Sequence, residues 1–156
     1  MKAKNVEQSM VTIGNLMQPE QANLAGNVHG GEIMKMMDNT AGIVAFKHAH
    51  SNVVTARVDQ LMFHQPIHIG NLVTCEGRLT YVGTSSMEVL VTVMVEDIMA
   101  EEPSKTALTA YFTMVALDEA GNPKKVPELI LDCEEDEQTF NEGRQRHWEY
   151  KQMKKK

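Results

Sequence analysis

Apolar and polar positions repeat with two different periods along this chain, and the change of period divides it into elements. From about Gly31 to His48, the residues Ile33, Met34, Met37, Ala41, Val44 and Ala45 fall on one face at about 100° per residue, with Glu32, Lys35 and Asn39 opposite. This spacing predicts an amphipathic helix of roughly five turns. The segments that follow, NVVTARVDQLMFH, LVTCEGRLTYVG, SMEVLVTVMVEDIM and TALTAYFTMVALD, are rich in β-branched residues and partly alternate. They read as long strands. Turn-forming stretches separate them: Gln65 to Asn71, Gly83-Thr84-Ser85, Glu101 to Ser104, and Asp118 to Pro123. Such short connections predict antiparallel neighbours. A shorter strand from about Ser9 to Leu16 precedes the helix, and Glu134 to Lys154 reads as a polar C-terminal helix weakened by Gly143. The result is an α+β domain. One apolar helix covers a single sheet face, and no second helix is apolar enough to cover the rest, so self-association is the expected remedy.

Composition adds bounds. The 156 residues, 42% hydrophobic and 23% charged, suit one domain with a continuous core. There is no run of eighteen apolar residues, and MKAKNVEQSM lacks the apolar stretch of a signal peptide, so a soluble, cytoplasmic protein is expected. The net charge of -6 argues against a general binder of nucleic acid or membrane surfaces. Cys75 and Cys133 form no CxxC pair, and the six histidines, among them His48, His50, His64 and His68, lack acid or thiolate partners at regular offsets. No metal site is expected. The acidic run Glu134 to Glu137 and the terminal lysines read as solvated faces.

Asp38 is the residue that composition does not explain. On the helical wheel it lies at the edge of the apolar stripe, between Met34, Gly42 and Ala45, and should be half buried. A carboxylate so placed serves as a general base or nucleophile, or else caps a loop or pairs with a lysine. Just upstream, Asn23-Leu24-Ala25-Gly26-Asn27-Val28-His29-Gly30-Gly31 brings polar side chains and three glycines to the start of the helix. Glycines admit a ligand close to the backbone, and the free N–H groups of a helix N-terminus stabilise an oxyanion. Together with an acid two turns along, this is a candidate acyl-transfer centre; as pure structure it is a tight loop with close packing.

The stretches NLAGNVHGGEIMKMMDNTAG, VVTARVDQLMFHQPIHIGNLV and YVGTSSMEV resemble the hotdog-fold acyl-CoA thioesterases, in particular the cytosolic acyl-CoA hydrolase group. The resemblance runs in order from about Gly14 to Pro127. It implies a long central helix wrapped by a curved antiparallel sheet, paired into homodimers and commonly into trimers of dimers. It therefore implies a hotdog domain at 1–130, with a polar helix or tail at 131–156 outside it. The implied reaction is hydrolysis of an acyl-CoA thioester to a free fatty acid and coenzyme A, without a metal or other cofactor. Asp38 would activate water or attack the carbonyl, Asn23 of the partner subunit would orient water or substrate, and the Gly31 N–H, with Gly30 nearby, would hold the thioester oxygen. Thr55 resembles a position lining the same site. Where many relatives carry an acid after the aspartate, this chain has Asn39.

Substrate contacts are implied in the same way for His29, Gly30, Met34 and the turn Gly83-Thr84-Ser85-Ser86. The basic candidates for phosphate contact are Arg57, Arg78, Lys124 and Lys125. The 12 methionines, Met34, Met36 and Met37 among them, suit either a pliable acyl pocket or a core. Two other readings remain open: a hotdog hydratase or dehydratase of acyl thioesters that depends on His29, and a non-catalytic acyl-CoA-binding module. No G-x-S-x-G elbow, P-loop or Rossmann fingerprint is present.

Overall fold

The computed structural model describes residues 1–155. Strands β1 (Lys4–Asn5) and β2 (Val11–Leu16) lead into helix α1 (Gly30–Ala49). Four long strands follow: β3 (Asn52–Phe63), β4 (Leu72–Val82), β5 (Ser86–Glu96) and β6 (Lys105–Leu117). Short β7 (Leu129–Ile130) and helix α2 (Glu134–Lys154) complete the chain. The predicted helices and long strands all form, with ends displaced by no more than a few residues.

Five strands make one antiparallel sheet in the order β2-β4-β5-β6-β3, while β1 and β7 pair separately in parallel. The order corrects one expectation. The short link between β3 and β4 does not make a hairpin; it carries the chain across the sheet, leaving β3 on one edge and β4 beside β2 near the other.

Helix α1 lies against the concave face through Ile33, Met37, Ala41, Val44 and Ala45, all buried. It packs there against Val73, Cys75, Leu79, Met87 and Phe112 of the core. Gly77 sets how close the helix comes, since a Cβ there would lie 2.8 Å from Val44 Cγ2 and 3.0 Å from Thr40 Cγ2. At the far end His50 closes α1 in the left-handed region (φ 49°), and Lys4 Nζ donates to the carbonyls of Lys47 (3.2 Å) and His48 (2.8 Å). A cation there complements the negative end of the helix.

Helix α2 crosses the opposite face of the sheet, which the sequence had left uncovered. Its seat is charged and aromatic where α1's is apolar. Arg146 donates to Glu88 Oε1 (2.7 Å) and stacks 3.8 Å above the Tyr111 ring, Arg78 reaches Asp136 (3.4 Å), and Arg57 stacks 4.0 Å from the Tyr150 ring. Gly143, expected to weaken this helix, is instead where it touches the sheet: a Cβ would sit 2.6 Å from Tyr81 Cβ and 2.9 Å from Glu88 Oε1.

Candidate active site

Asp38 stands on the outward stripe of α1, one and two turns before Gly42 and Phe46. Its carboxylate is exposed in the protomer, where half burial was expected. Thr55 reaches it from β3, its hydroxyl donating to Asp38 Oδ1 at 2.6 Å and lying 3.5 Å from Met114 Sδ. A hydroxyl donor fixes one carboxylate oxygen and leaves the other free to accept a proton.

A β-bulge decides which β3 residues join this site. Register runs Thr55 opposite Met114 and then Arg57 opposite Thr113, so one extra residue intervenes. Without it, Thr55 and Arg57 would share a face. With it, Thr55 turns toward α1 and Arg57 turns to the other face, where it donates to Asp59 Oδ1 (2.7 Å) and lies under Tyr150. Arg57 is thus remote from Asp38 and already engaged, and so is Arg78.

The N-terminus of α1 is built by His29. Its backbone N–H donates to Gln21 O (2.8 Å), its carbonyl accepts from Glu32 N (3.0 Å), and its Nδ1 accepts from Gly31 N (2.9 Å). An amide only donates, so Nδ1 is unprotonated and the ring proton resides on Nε2. The Gly31 N–H expected to face a substrate is therefore capped by an imidazole in this structure. Gly30 keeps a free N–H among the described residues, and a Cβ at Gly30 would meet nothing within 4 Å.

Asn23 sits in the loop before the helix. Its side-chain oxygen accepts from Ala25 N (2.9 Å) and Asn27 N (3.2 Å), an Asx turn that leaves the amide N–H₂ unpaired among the described residues. The loop is pinned at its base by Val28 N to Ile67 O (3.0 Å) and by His68 to Asn27 Oδ1 (2.9 Å), while Leu24 at its tip is fully exposed. Met34 lies one turn before Asp38, partly buried against the core.

Asp38 lies seven helical steps beyond Gly31, about 10 Å along the axis. One thioester carbonyl cannot touch both within a single protomer. The turn Gly83 to Ser86, closed by Gly83 N to Ser86 O (2.8 Å), lies between β4 and β5 and touches neither. Among the described residues no group of three or more His, Cys, Asp or Glu is placed to hold a metal, and no helix is long and apolar enough to cross a membrane. Helix α2, expected only as a polar helix, carries a stripe that the sequence reading missed: Phe140, Gly143, His147 and Tyr150 recur every three or four residues and face the sheet.

Several proteins similar to this chain are named acyl-CoA thioester hydrolases or thioesterases. The mouse cytosolic acyl coenzyme A thioester hydrolase is 40% identical over 152 residues, which are 97% of this chain; the chain spans only 39% of that relative's length. A hexameric acyl-CoA thioesterase, solved in its apo form, superposes with a TM-score of 0.91 at 31% identity, over 98% of this chain and 97% of its own. An acyl-CoA hydrolase from Staphylococcus aureus, solved with butyryl coenzyme A and coenzyme A, gives 0.87 at 32% identity over 97% and 92%. That enzyme has also been solved with an aspartate, an asparagine or a threonine replaced by alanine, at the spacings that separate Asp38, Asn23 and Thr55 here. With its sequence pattern matched from residue 25 to 102, and with that hotdog architecture, the chain belongs to the thioesterase superfamily.

Proposed function

We propose that this protein hydrolyses acyl-CoA thioesters to a free carboxylic acid and coenzyme A, in the cytoplasm, at a site shared by two protomers. The observation that carries the reading is Asp38, exposed on α1 and oriented by the Thr55 hydroxyl at 2.6 Å. Exposure on one protomer becomes enclosure when a second copy covers that stripe. Several features support such a pairing. Strand β3 is a sheet edge with unpaired ladder groups, and Val54, Val58, Met62 and Phe63 along it are exposed, as are Ile43 and Phe46 on α1. Gly42 offers a partner helix an open approach.

In the paired form, Asp38 and Thr55 of one protomer face the Asn23 loop and the His29-Gly30-Gly31 helix start of the other. The two ends that lie about 10 Å apart in one chain then converge on one carbonyl. The carbonyl oxygen takes the Gly30 N–H and, once His29 moves aside, the Gly31 N–H, at the positive end of α1. Asp38 accepts a proton from water as that water attacks, or attacks itself to give an anhydride that water then opens. The tetrahedral species collapses, the C–S bond breaks, and the proton held by Asp38 passes to the leaving thiolate, which departs as coenzyme A. The free amide N–H₂ of Asn23 is the group that would hold the water or the acyl oxygen. The chemistry needs water and no cofactor. The dimers assemble further, as a trimer, and residues 1–130 carry the reaction.

The test is release of free thiol from a panel of acyl-CoA substrates. Asp38→Ala and Asn23→Ala should each lower kcat by about a hundredfold or more. Co-expressed in equal amounts, the two variants should regain about a quarter of parental activity, because half the dimers are mixed and each of these has one intact site of two. No thiol from any substrate would end the thioesterase reading; no regain on mixing would place the site within one protomer.

A further inference from the structure

Strand β3 carries Thr55 and is thinly anchored for an element that aims a side chain. It is a sheet edge bonded only to β6, and its register breaks twice. The first break falls between Thr55 and Arg57, the second between Asp59 and Met62, where Gln60 takes the left-handed region (φ 51°). Every residue of β3 after Val53 is exposed except Arg57 and Asp59. These two lie in the regular stretch between the breaks, opposite Thr113 and Tyr111, on the face that α2 covers. Val53 stands opposite Ala116 and Arg57 opposite Thr113, so three residues of β3 face two of β6, with Thr55 in the middle of the three. Anchors at both ends of that span confine the bulge to it. With Arg57 released, the extra residue is free to migrate and the strand beyond Val53 is held by ladder bonds alone.

The Arg57 anchor comes from α2. Arg57 Nε donates to Asp59 Oδ1 at 2.7 Å, and its guanidinium carbon lies 4.0 Å from the centroid of the Tyr150 ring. Its Nη1 is shielded from solvent and has no hydrogen-bond partner among the described residues. A cation–π contact is strongest where water is excluded, so the ring face compensates a donor that water cannot reach. One turn earlier on α2, Arg146 is tied to both oxygens of Glu88 and lies over Tyr111, the residue opposite Asp59, which fixes the helix that presents the ring.

We infer that Tyr150 is a positioning residue for thioester hydrolysis: by seating Arg57 on the α2 face it holds the β3 bulge, and with it the Thr55 hydroxyl against Asp38 on the opposite face. The inference rests on the acyl-CoA reading above. It gives α2 a part in aiming the base from the far side of the sheet, without contact with substrate.

The experiment compares the parent with Tyr150→Leu, Tyr150→Phe, Arg57→Lys and, as a control on the exposed side of the same helix, Trp148→Leu. Thiol release from an acyl-CoA gives kcat and KM, and NMR of protein labelled at its threonine methyls follows Thr55. Tyr150→Leu should lower kcat by about tenfold, as Thr55→Val does, with KM little changed. Arg57→Lys should do the same, because lysine keeps the charge and loses the planar fork. Tyr150→Phe, which keeps the ring face, and Trp148→Leu should match the parent. Thr55→Val combined with Tyr150→Leu should be no slower than Thr55→Val alone, since both remove the same aim. The Thr55 methyl signal should shift and broaden in Tyr150→Leu and stay in place in Tyr150→Phe. Parental kcat in folded Tyr150→Leu and Arg57→Lys, or a double variant slowed by the product of the two single effects, would overturn the inference and leave the thioesterase reading in place. A Tyr150→Phe as slow as Tyr150→Leu would overturn it too, by placing the effect in the hydroxyl. Should Tyr150→Leu fail to fold, Arg57→Lys and its combination with Thr55→Val decide by the same two criteria. A Thr55 signal that moves while no form releases thiol would end the thioesterase reading and leave the link from Tyr150 to Thr55 standing.

Discussion

The Gly31 N–H donates to His29 Nδ1 at 2.9 Å, so the backbone group best placed to stabilise an oxyanion is held by the side chain two residues before it. Two roles for His29 make opposite forecasts. As a helix cap it competes with the substrate for Gly31; as the acid-base group of a hydratase it would be indispensable. Replacing a capping side chain costs about 0.5–2 kcal/mol of stability. We expect His29→Ala to melt a few degrees lower and to keep or raise kcat for thiol release. A hundredfold loss in a folded variant would instead make His29 part of the chemistry.

Thr55 bonds an exposed carboxylate that has many alternative rotamers, and its hydroxyl limits them. A hydrogen bond to a charged group contributes about 1.5–3 kcal/mol, or roughly ten- to a hundredfold in rate if it is needed only to aim the base. Thr55→Val keeps the β-branched shape and removes the donor. Its kcat should fall by about tenfold or more, with KM little changed. An equal fall in kcat and rise in KM would show that Thr55 holds substrate directly rather than positioning Asp38.

How much of this was legible in the sequence follows from which interactions are local. Helix α1 and the four long strands were readable because Ile33, Met37, Ala41 and Val44 repeat at helical spacing and the strand segments are β-branched. The pairing of β3 with β6 was not, because short links say which strands are near in sequence and not where a chain crosses the sheet. The bulge after Thr55 leaves no mark in the residues, yet it separates Thr55 from Arg57. Asp38 was placed on the right stripe and given the wrong burial, since its cover would come from a second chain. The seat of α2 escaped because Arg146, Glu88 and Tyr111 look like surface residues until they are brought together.

Gly143 gives a direct test of that seat. In an isolated helix alanine is favoured over glycine by about 1 kcal/mol. Here the added Cβ meets Tyr81 Cβ at 2.6 Å, and Tyr81 belongs to the sheet and has little room to yield. Gly143→Ala should therefore destabilise the protein and loosen α2, seen as a lower melting temperature and faster proteolysis after Arg144 and Arg146. A rise in melting temperature would mean that α2 does not press on β4 as described.

His48 should make stability depend on pH with a definite sign. It is fully buried, its Nε2–H donates to Pro127 O at 2.7 Å, and Nδ1 has no partner among the described residues. Burial lowers its pKa from the usual value, the Pro127 carbonyl opposes that, and the charges of Lys4 and His50 add to the lowering. The folded protein therefore holds the ring neutral where an unfolded chain already takes a proton. Below about pH 6.5 the unfolded state binds more protons, so the contribution of neutral His48 is complete above that pH and is lost as pH falls toward the folded value. Burial, with Lys151, lowers His147 as well, which adds a dependence of the same sign. Urea midpoints of the parent and His48→Gln between pH 8 and 5 separate the two. The variant should be less stable at pH 8 and should show a shallower fall on acidification. Parallel curves would mean that His48 titrates alike in both states.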